Sequence, residues 1–170
     1  MKRFPLITSL ALVLVTAPLA SQPSAPCTDP AYRQFDFWLG EWEVFKPDGT
    51  LAGTNRIEQE YAGCVLHERY ATPGGYSGES LNMYDAARQV WHQTWVDNTG
   101  LLLQLDGRLV AGRMVLEGET PARDGPGTRH RITWTPNPDG SVRQFWESTD
   151  ANGEWTVAFD GLYKRKSQQP

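Results

Sequence analysis

The stretch Phe35-Asp36-Phe37-Trp38-Leu39-Gly40-Glu41-Trp42-Glu43-Val44 decides the fold. An aromatic-rich, nearly helical turn runs straight into Gly-x-Trp and then into an alternating strand. A small β-barrel closes its floor and begins its first strand in this way. The helical candidate, residues 30–39, is too short to be anything but a plug.

Beyond Val44, short strand-like runs recur with turn signals every ten residues or so, the rhythm of a sandwich or barrel. Strands are expected at 41–46, 51–61, 64–72, 76–84, 89–97, 100–107, 111–119, 128–135, 141–149 and 154–165. The expected fold is therefore all-β: one antiparallel up-and-down barrel of about ten strands with a short N-terminal helical plug.

Turn chemistry sets several registers. Asn137-Pro138-Asp139-Gly140-Ser141 reads as a type I turn with Gly140 in the left-handed bulge position. It places Trp134 opposite Gln144, Ile132 opposite Trp146, and Arg131 opposite Glu147. Asn152-Gly153 reads as a two-residue type I′ turn, placing Trp146 opposite Phe159 and Val142 opposite Tyr163. Both turns put Trp146 on the same apolar face, a consistency across three strands. Lys46-Pro47-Asp48-Gly49-Thr50 pairs Val44 with Ala52 and Trp42 with Thr54. Ile57 and Tyr61 then fall on the wrong parity unless a bulge lies near Gly53.

The N-terminus stands apart from this pattern. Met1-Lys2-Arg3 precedes an apolar run from Leu6 to Leu19, shorter than the ~20 residues of a spanning helix. Residues 1–20 read as a signal peptide, 21–34 as an N-terminal tail, 35–166 as the barrel domain and 167–170 as a flexible tail. Loss of the two cations Lys2 and Arg3 takes the formal charge from −4 to −6. Such an acidic balance argues against a nucleic-acid partner, and the mature chain has no second long apolar run to span a membrane. The expected location is periplasmic or secreted. In an exported protein the two cysteines, Cys27 and Cys64, are expected to form one disulfide.

Catalytic signatures are thin. Gly75-Tyr76-Ser77-Gly78 lacks the second glycine and the following helix of a nucleophile elbow. The three histidines, His67, His92 and His130, show no metal-ligand spacing. No cofactor and no metal are expected. Asp97, Asp150 and Asp160 fall near strand ends, where turn capping explains them. Glu68 shares the parity of Leu66 and Tyr70 and should face inward, where it needs a partner, with Arg56 as a candidate.

What remains is an interior rich in tryptophan and amides. The candidate ligand-binding residues are Asn82, Trp91, Gln93, Trp95, His130, Trp134, Gln144 and Trp146. Seven tryptophans are many for one domain, and aromatic walls suit flat or greasy ligands. A barrel of ten strands is wide enough to enclose one.

The Gly40-Glu41-Trp42 motif behind Phe35-Asp36 resembles the opening of the calycin barrels: the lipocalins, fatty-acid-binding proteins and nitrobindins. That resemblance implies that Trp42 packs across the closed end and that a basic residue near the chain end, Lys164 or Arg165, covers it. The chain is also similar to a family of bacterial exported proteins with no assigned activity. The stretches that carry this are Phe35 to Val44, Gly63-Cys64, Tyr84-Asp85, residues 91–97, 131–136, 139–144 and 159–163. Nitrobindins bind haem through a histidine near the C-terminus. This chain has no histidine after His130, so that ligand is missing from its expected strand.

The reading is an exported barrel that binds a small hydrophobic or aromatic molecule. Three alternatives stay open: an enzyme using His130 or Glu68 as base, a haem-binding sensor, and a structural envelope protein with a filled core.

Overall fold

A computed structural model describes residues 25–166. The expected signal peptide, residues 21–24 of the tail and the C-terminal residues 167–170 lie outside the described residues. Ten strands follow one another in chain order: β1 (Gly40–Phe45), β2 (Leu51–Glu60), β3 (Val65–Ala71), β4 (Ser77–Asp85), β5 (Val90–Asp97), β6 (Leu102–Val110), β7 (Arg113–Thr120), β8 (Thr128–Pro136), β9 (Val142–Thr149) and β10 (Trp155–Arg165). Each pairs antiparallel with its neighbours, and β1 pairs with β10 to close the barrel. Closure leaves no free sheet edge, which removes the usual template for edge-to-edge aggregation.

Alternation along each strand sorts the side chains. On β5, Trp91, Gln93 and Trp95 point inward, while His92, Thr94 and Val96 face out. On β8 the inward set is His130, Ile132 and Trp134. No helix among the described residues is long and apolar enough to cross a membrane.

The register around the turn at residues 137–141 is as its chemistry demands. Trp134 pairs with Gln144, Ile132 with Trp146 and Arg131 with Glu147. Gly140 takes φ +82°, and its N–H donates to the Asn137 carbonyl at 3.0 Å.

The β9–β10 connection corrects the expected turn. Residues 150–154 form the same three-residue turn, with the Asp150 N–H donating to the Glu154 carbonyl at 2.9 Å. Asp150 Oδ1 accepts from the N–H groups of Asn152 and Glu154 and stabilises the three-residue form. That shifts the register by one, and a bulge between Val157 and Phe159 shifts it back. Trp146 therefore still meets Phe159, and Val142 still meets Tyr163.

The first hairpin contains the missing bulge. Phe45 pairs with Leu51 but Val44 pairs with Gly53, so Ala52 is the extra residue. Trp42 then faces Asn55 rather than Thr54, and Ile57 turns into the core.

The floor is a packed aromatic layer. Two 3₁₀ turns, Pro30–Arg33 and Asp36–Trp38, cross the closed end. Phe35 stacks on Trp38 at 4.9 Å between centroids and meets Trp91 and Trp134 edge-on at 5.6 and 5.2 Å. Phe35, Trp38, Trp42 and Trp134 have no exposed surface. Burying each ring contributes roughly 1.5–3 kcal/mol by transfer alone. The Trp42 Nε1–H donates to the Trp38 carbonyl at 2.9 Å, tying the plug to β1.

Residues 30–34, read as part of a tail, belong to this floor. Tyr32 packs edge-on against Tyr84 at 5.4 Å, the Trp91 indole N–H donates to Gln34 Oε1 at 3.2 Å, and Arg33 donates to the Gly63 carbonyl. Cys27 and Cys64 are joined in a disulfide with Cα atoms 5.1 Å apart. Cys64 follows the 3₁₀ turn Tyr61–Gly63 that links β2 to β3. The bridge therefore clamps the floor segment from outside.

A candidate ligand cavity above the aromatic floor

The interior is divided. Its lower half is the filled aromatic layer. Its upper half is a cavity of about 410 Å³. The cavity lies toward the end carrying the connections 46–50, 72–76, 97–101 and 150–154, opposite the plug. Lys46, Thr72, Tyr76 and Ala158 lie near this mouth. Trp95, Trp146, Phe159 and Tyr70 form aromatic walls, with Leu103 and Ile132 between them.

The base of the cavity is polar and tightly wired. Asn82 Nδ2 donates to the Leu66 carbonyl at 3.1 Å and to Ser80 Oγ at 2.8 Å. A backbone carbonyl can only accept, so it fixes the orientation of the Asn82 amide. Asn82 Oδ1 must then accept, and Gln93 Nε2 donates to it at 2.8 Å. Ser80 already receives Asn82, so its own proton goes to Glu68 Oε2 at 2.5 Å. Asn55 Nδ2 donates to Glu68 Oε1 at 2.7 Å and to the Tyr163 hydroxyl at 3.2 Å. Tyr163 in turn donates to Gln144 Oε1 at 2.5 Å. One chain of hydrogen bonds thus runs from Gln93 on β5 round the wall to Gln144 on β9.

Glu68 is the chemical centre of this belt. It is 4% exposed and lines the cavity. Burial raises its pKa to about 7, against the opposing pull of the bonds from Ser80 and Asn55. Arg56 is not its partner. That side chain lies on the outer face beside Glu58 at 3.4 Å, because Arg56 and Glu68 have opposite parity across the β2–β3 pair. Burial first, and the Glu68 charge second, hold the Tyr163 phenol well above its ordinary pKa.

At the mouth, Asp97 Oδ2 accepts from the Tyr76 hydroxyl at 2.8 Å and the Trp95 indole N–H at 3.1 Å. Burial works against its charge. Hydrogen bonds from Thr99, Trp95 and Tyr76 outweigh that and hold the carboxyl below the usual carboxylate range. Asp97 therefore caps its turn and also locks two wall aromatics in place.

Four of the eight candidate ligand residues meet at the cavity: Gln93, Trp95, Gln144 and Trp146. The other four lie elsewhere. Trp91 and Trp134 are nearer the closed end of their strands and pack on the plug. Asn82 is fully buried behind Gln93 and Ser80. His130 sits in the wall between β7 and β9. Its Nδ1 accepts from the Trp146 indole N–H at 3.2 Å, which leaves Nε2 to donate to Thr120 Oγ1 at 2.9 Å. Burial lowers its pKa and favours this neutral form. With both nitrogens engaged, His130 presents no free ligand to haem and no free base to a substrate.

Lys46, Tyr70, Tyr76, Phe159 and Tyr163 line the cavity but were not among the candidates. The parity of Tyr70 with Glu68, and of Phe159 with Tyr163, was a usable signal. Tyr76 sits in a turn just ahead of β4, where alternation carries no information. No protein-family model matches this chain, and no curated protein matches it.

Proposed function

We propose that this chain is an exported carrier that takes a small hydrophobic or aromatic molecule into the open end of its barrel. The observation that carries the reading is the 410 Å³ cavity, walled by aromatic rings with amides at its base. Its volume falls within the roughly 300–1,000 Å³ of small-molecule sites, whose lining is likewise apolar with a few placed polar groups. The disulfide and the basic-then-apolar N-terminus support export. Trp95 and Trp146 lie in the wall, so intrinsic tryptophan fluorescence reports occupancy. Titration with a panel of lipids and aromatic metabolites should give a saturable change for at least one class. A flat response across the panel would sink the proposal.

A second reading rests on Glu68. A cavity-lining carboxyl with a pKa near 7 has the properties of a general base. Any turnover found for this protein should then vanish in Glu68→Gln, and its persistence would remove this reading.

A further inference from the structure

We infer that the cavity selects ligands bearing a protonated amine on an apolar or aromatic skeleton, with the ammonium seated against Glu68 at the base. This rests on the proposed ligand-carrying function and names its ligand class.

The first argument is an unpaired charge. Buried carboxylates are ordinarily matched by a cation. Among the described residues no Lys, Arg or His makes an ion pair with Glu68, and its two hydrogen-bond donors, Asn55 and Ser80, are neutral. The direction of the belt, anchored at the Leu66 carbonyl, points the Ser80 proton at the carboxyl. Two donors leave about half of the carboxylate's acceptor capacity unused, and the residue lines the cavity.

The second argument is a second open acceptor on the cavity wall. Because Asn82 Oδ1 takes the Gln93 N–H, the Gln93 carbonyl oxygen is left without a partner among the described residues, at the cavity wall. A head group that reaches both Glu68 and the Gln93 side-chain oxygen from the cavity must donate to each, as an ammonium does.

The third argument is the aromatic enclosure. Tyr70, Tyr163, Trp95, Trp146 and Phe159 surround the same space. The Asn55 amide bridges Glu68 and the Tyr163 hydroxyl, and Tyr70 lies two residues from Glu68 on the same face of β3, so both rings stand beside the carboxyl. Aromatic faces beside a carboxylate favour organic cations. Lys46 is the cation lining the mouth, so an acid could bind head-outward. Its tail would then lie against Glu68, Gln93 and Gln144, and covering their remaining open polar atoms with apolar surface is unfavourable.

The test compares three isosteres, 3-phenylpropylamine, 3-phenylpropan-1-ol and 3-phenylpropionate, by titration calorimetry on the oxidised mature protein. The amine should bind at least tenfold more tightly than the alcohol at pH 8. Glu68→Gln should abolish that ratio. Should that variant fold poorly, wild type alone decides. The groups facing the carboxyl are Tyr70 of β3 and Tyr163 of β10, with His67 behind the wall and Lys46, Tyr76 and Asp97 at the mouth. The amine-to-alcohol ratio should fall as pH drops from 8 to 5, and His67→Gln should leave that fall in place. Equal binding of amine and alcohol, tighter binding of the acid, or a ratio indifferent to pH would each overturn the inference while leaving a ligand-binding barrel. No binding by any of the three, together with a flat fluorescence panel, would overturn both.

Discussion

The Arg165 guanidinium lies over the Trp42 ring, its carbon 4.5 Å from the centroid, and its Nη1 donates to the Leu39 carbonyl at 3.2 Å. The last residue of β10 thus seals the first strand from below and pins the end of the plug. Lys164, the other candidate for this role, points outward and lies 5.3 Å from the Phe45 centroid. Arg165→Ala should destabilise the fold by about 1–2 kcal/mol through loss of the cation–π contact and the carbonyl bond. Urea unfolding should show the lower midpoint, and ligand affinity should be unchanged because the floor lies beneath the cavity.

The Glu68 carboxyl predicts a pH-dependent stability. Its folded pKa of about 7 stands above the ordinary value of 4.5. Between those two values the folded state binds more protons than the unfolded state, so stability falls as pH rises through this window. The loss is complete above pH 7 and amounts to about 3 kcal/mol. Thermal unfolding of Glu68→Gln should lack this component. The variant should therefore gain on wild type as pH rises from 4.5 to 7, and parallel profiles would refute the assignment.

The Cys27–Cys64 bridge closes a loop with a sequence separation of 37. Replacing both cysteines by serine should cost about 2–4 kcal/mol, chiefly through the unfolded chain. The barrel should still fold, because Tyr32, Arg33 and Gln34 keep their contacts with the floor. Circular dichroism should keep the strand signal while the melting temperature falls, and reductant should reproduce the effect on wild type.

Ala158 sits exposed in the β10 bulge and borders the cavity mouth. Ala158→Trp should narrow the entrance with a stability change within about 0.5 kcal/mol, as for most surface substitutions. Affinity for any ligand found in the fluorescence panel should drop at least tenfold. Unchanged binding would move the site elsewhere.

His130→Phe should leave ligand affinity within twofold. The hydrogen-bond partners Trp146 Nε1 and Thr120 Oγ1 lose their acceptor and donor. The cost should be about 1–3 kcal/mol of stability, visible as a lower denaturation midpoint.

Strand positions, the ten-strand count and the inward parity were legible because alternation with period two is local. The turn at residues 137–141 carried its register in its own residues. The turn at residues 150–154 did not. Asn152-Gly153 suits a two-residue turn, yet the Asp150 carboxyl selects the longer one, and the bulge at Ala158 restores the pairing. Parity also could not say how deep along the barrel axis each inward side chain sits. Trp91 and Trp95 share a face and a strand, yet one is floor and the other is wall.

By itself, then, the amino-acid order determined the barrel, its plug, the disulfide pair and the inward side chains outside the first hairpin, because each depends on contacts between near neighbours or on the number of available partners. The tertiary structure alone decided which inward residues are buried in the floor and which border open space, since depth depends on closure of β1 against β10. It also decided that Glu68 is held by Asn55 and Ser80 and left without a cation. That pairing joins three strands, and no periodicity along one strand encodes it.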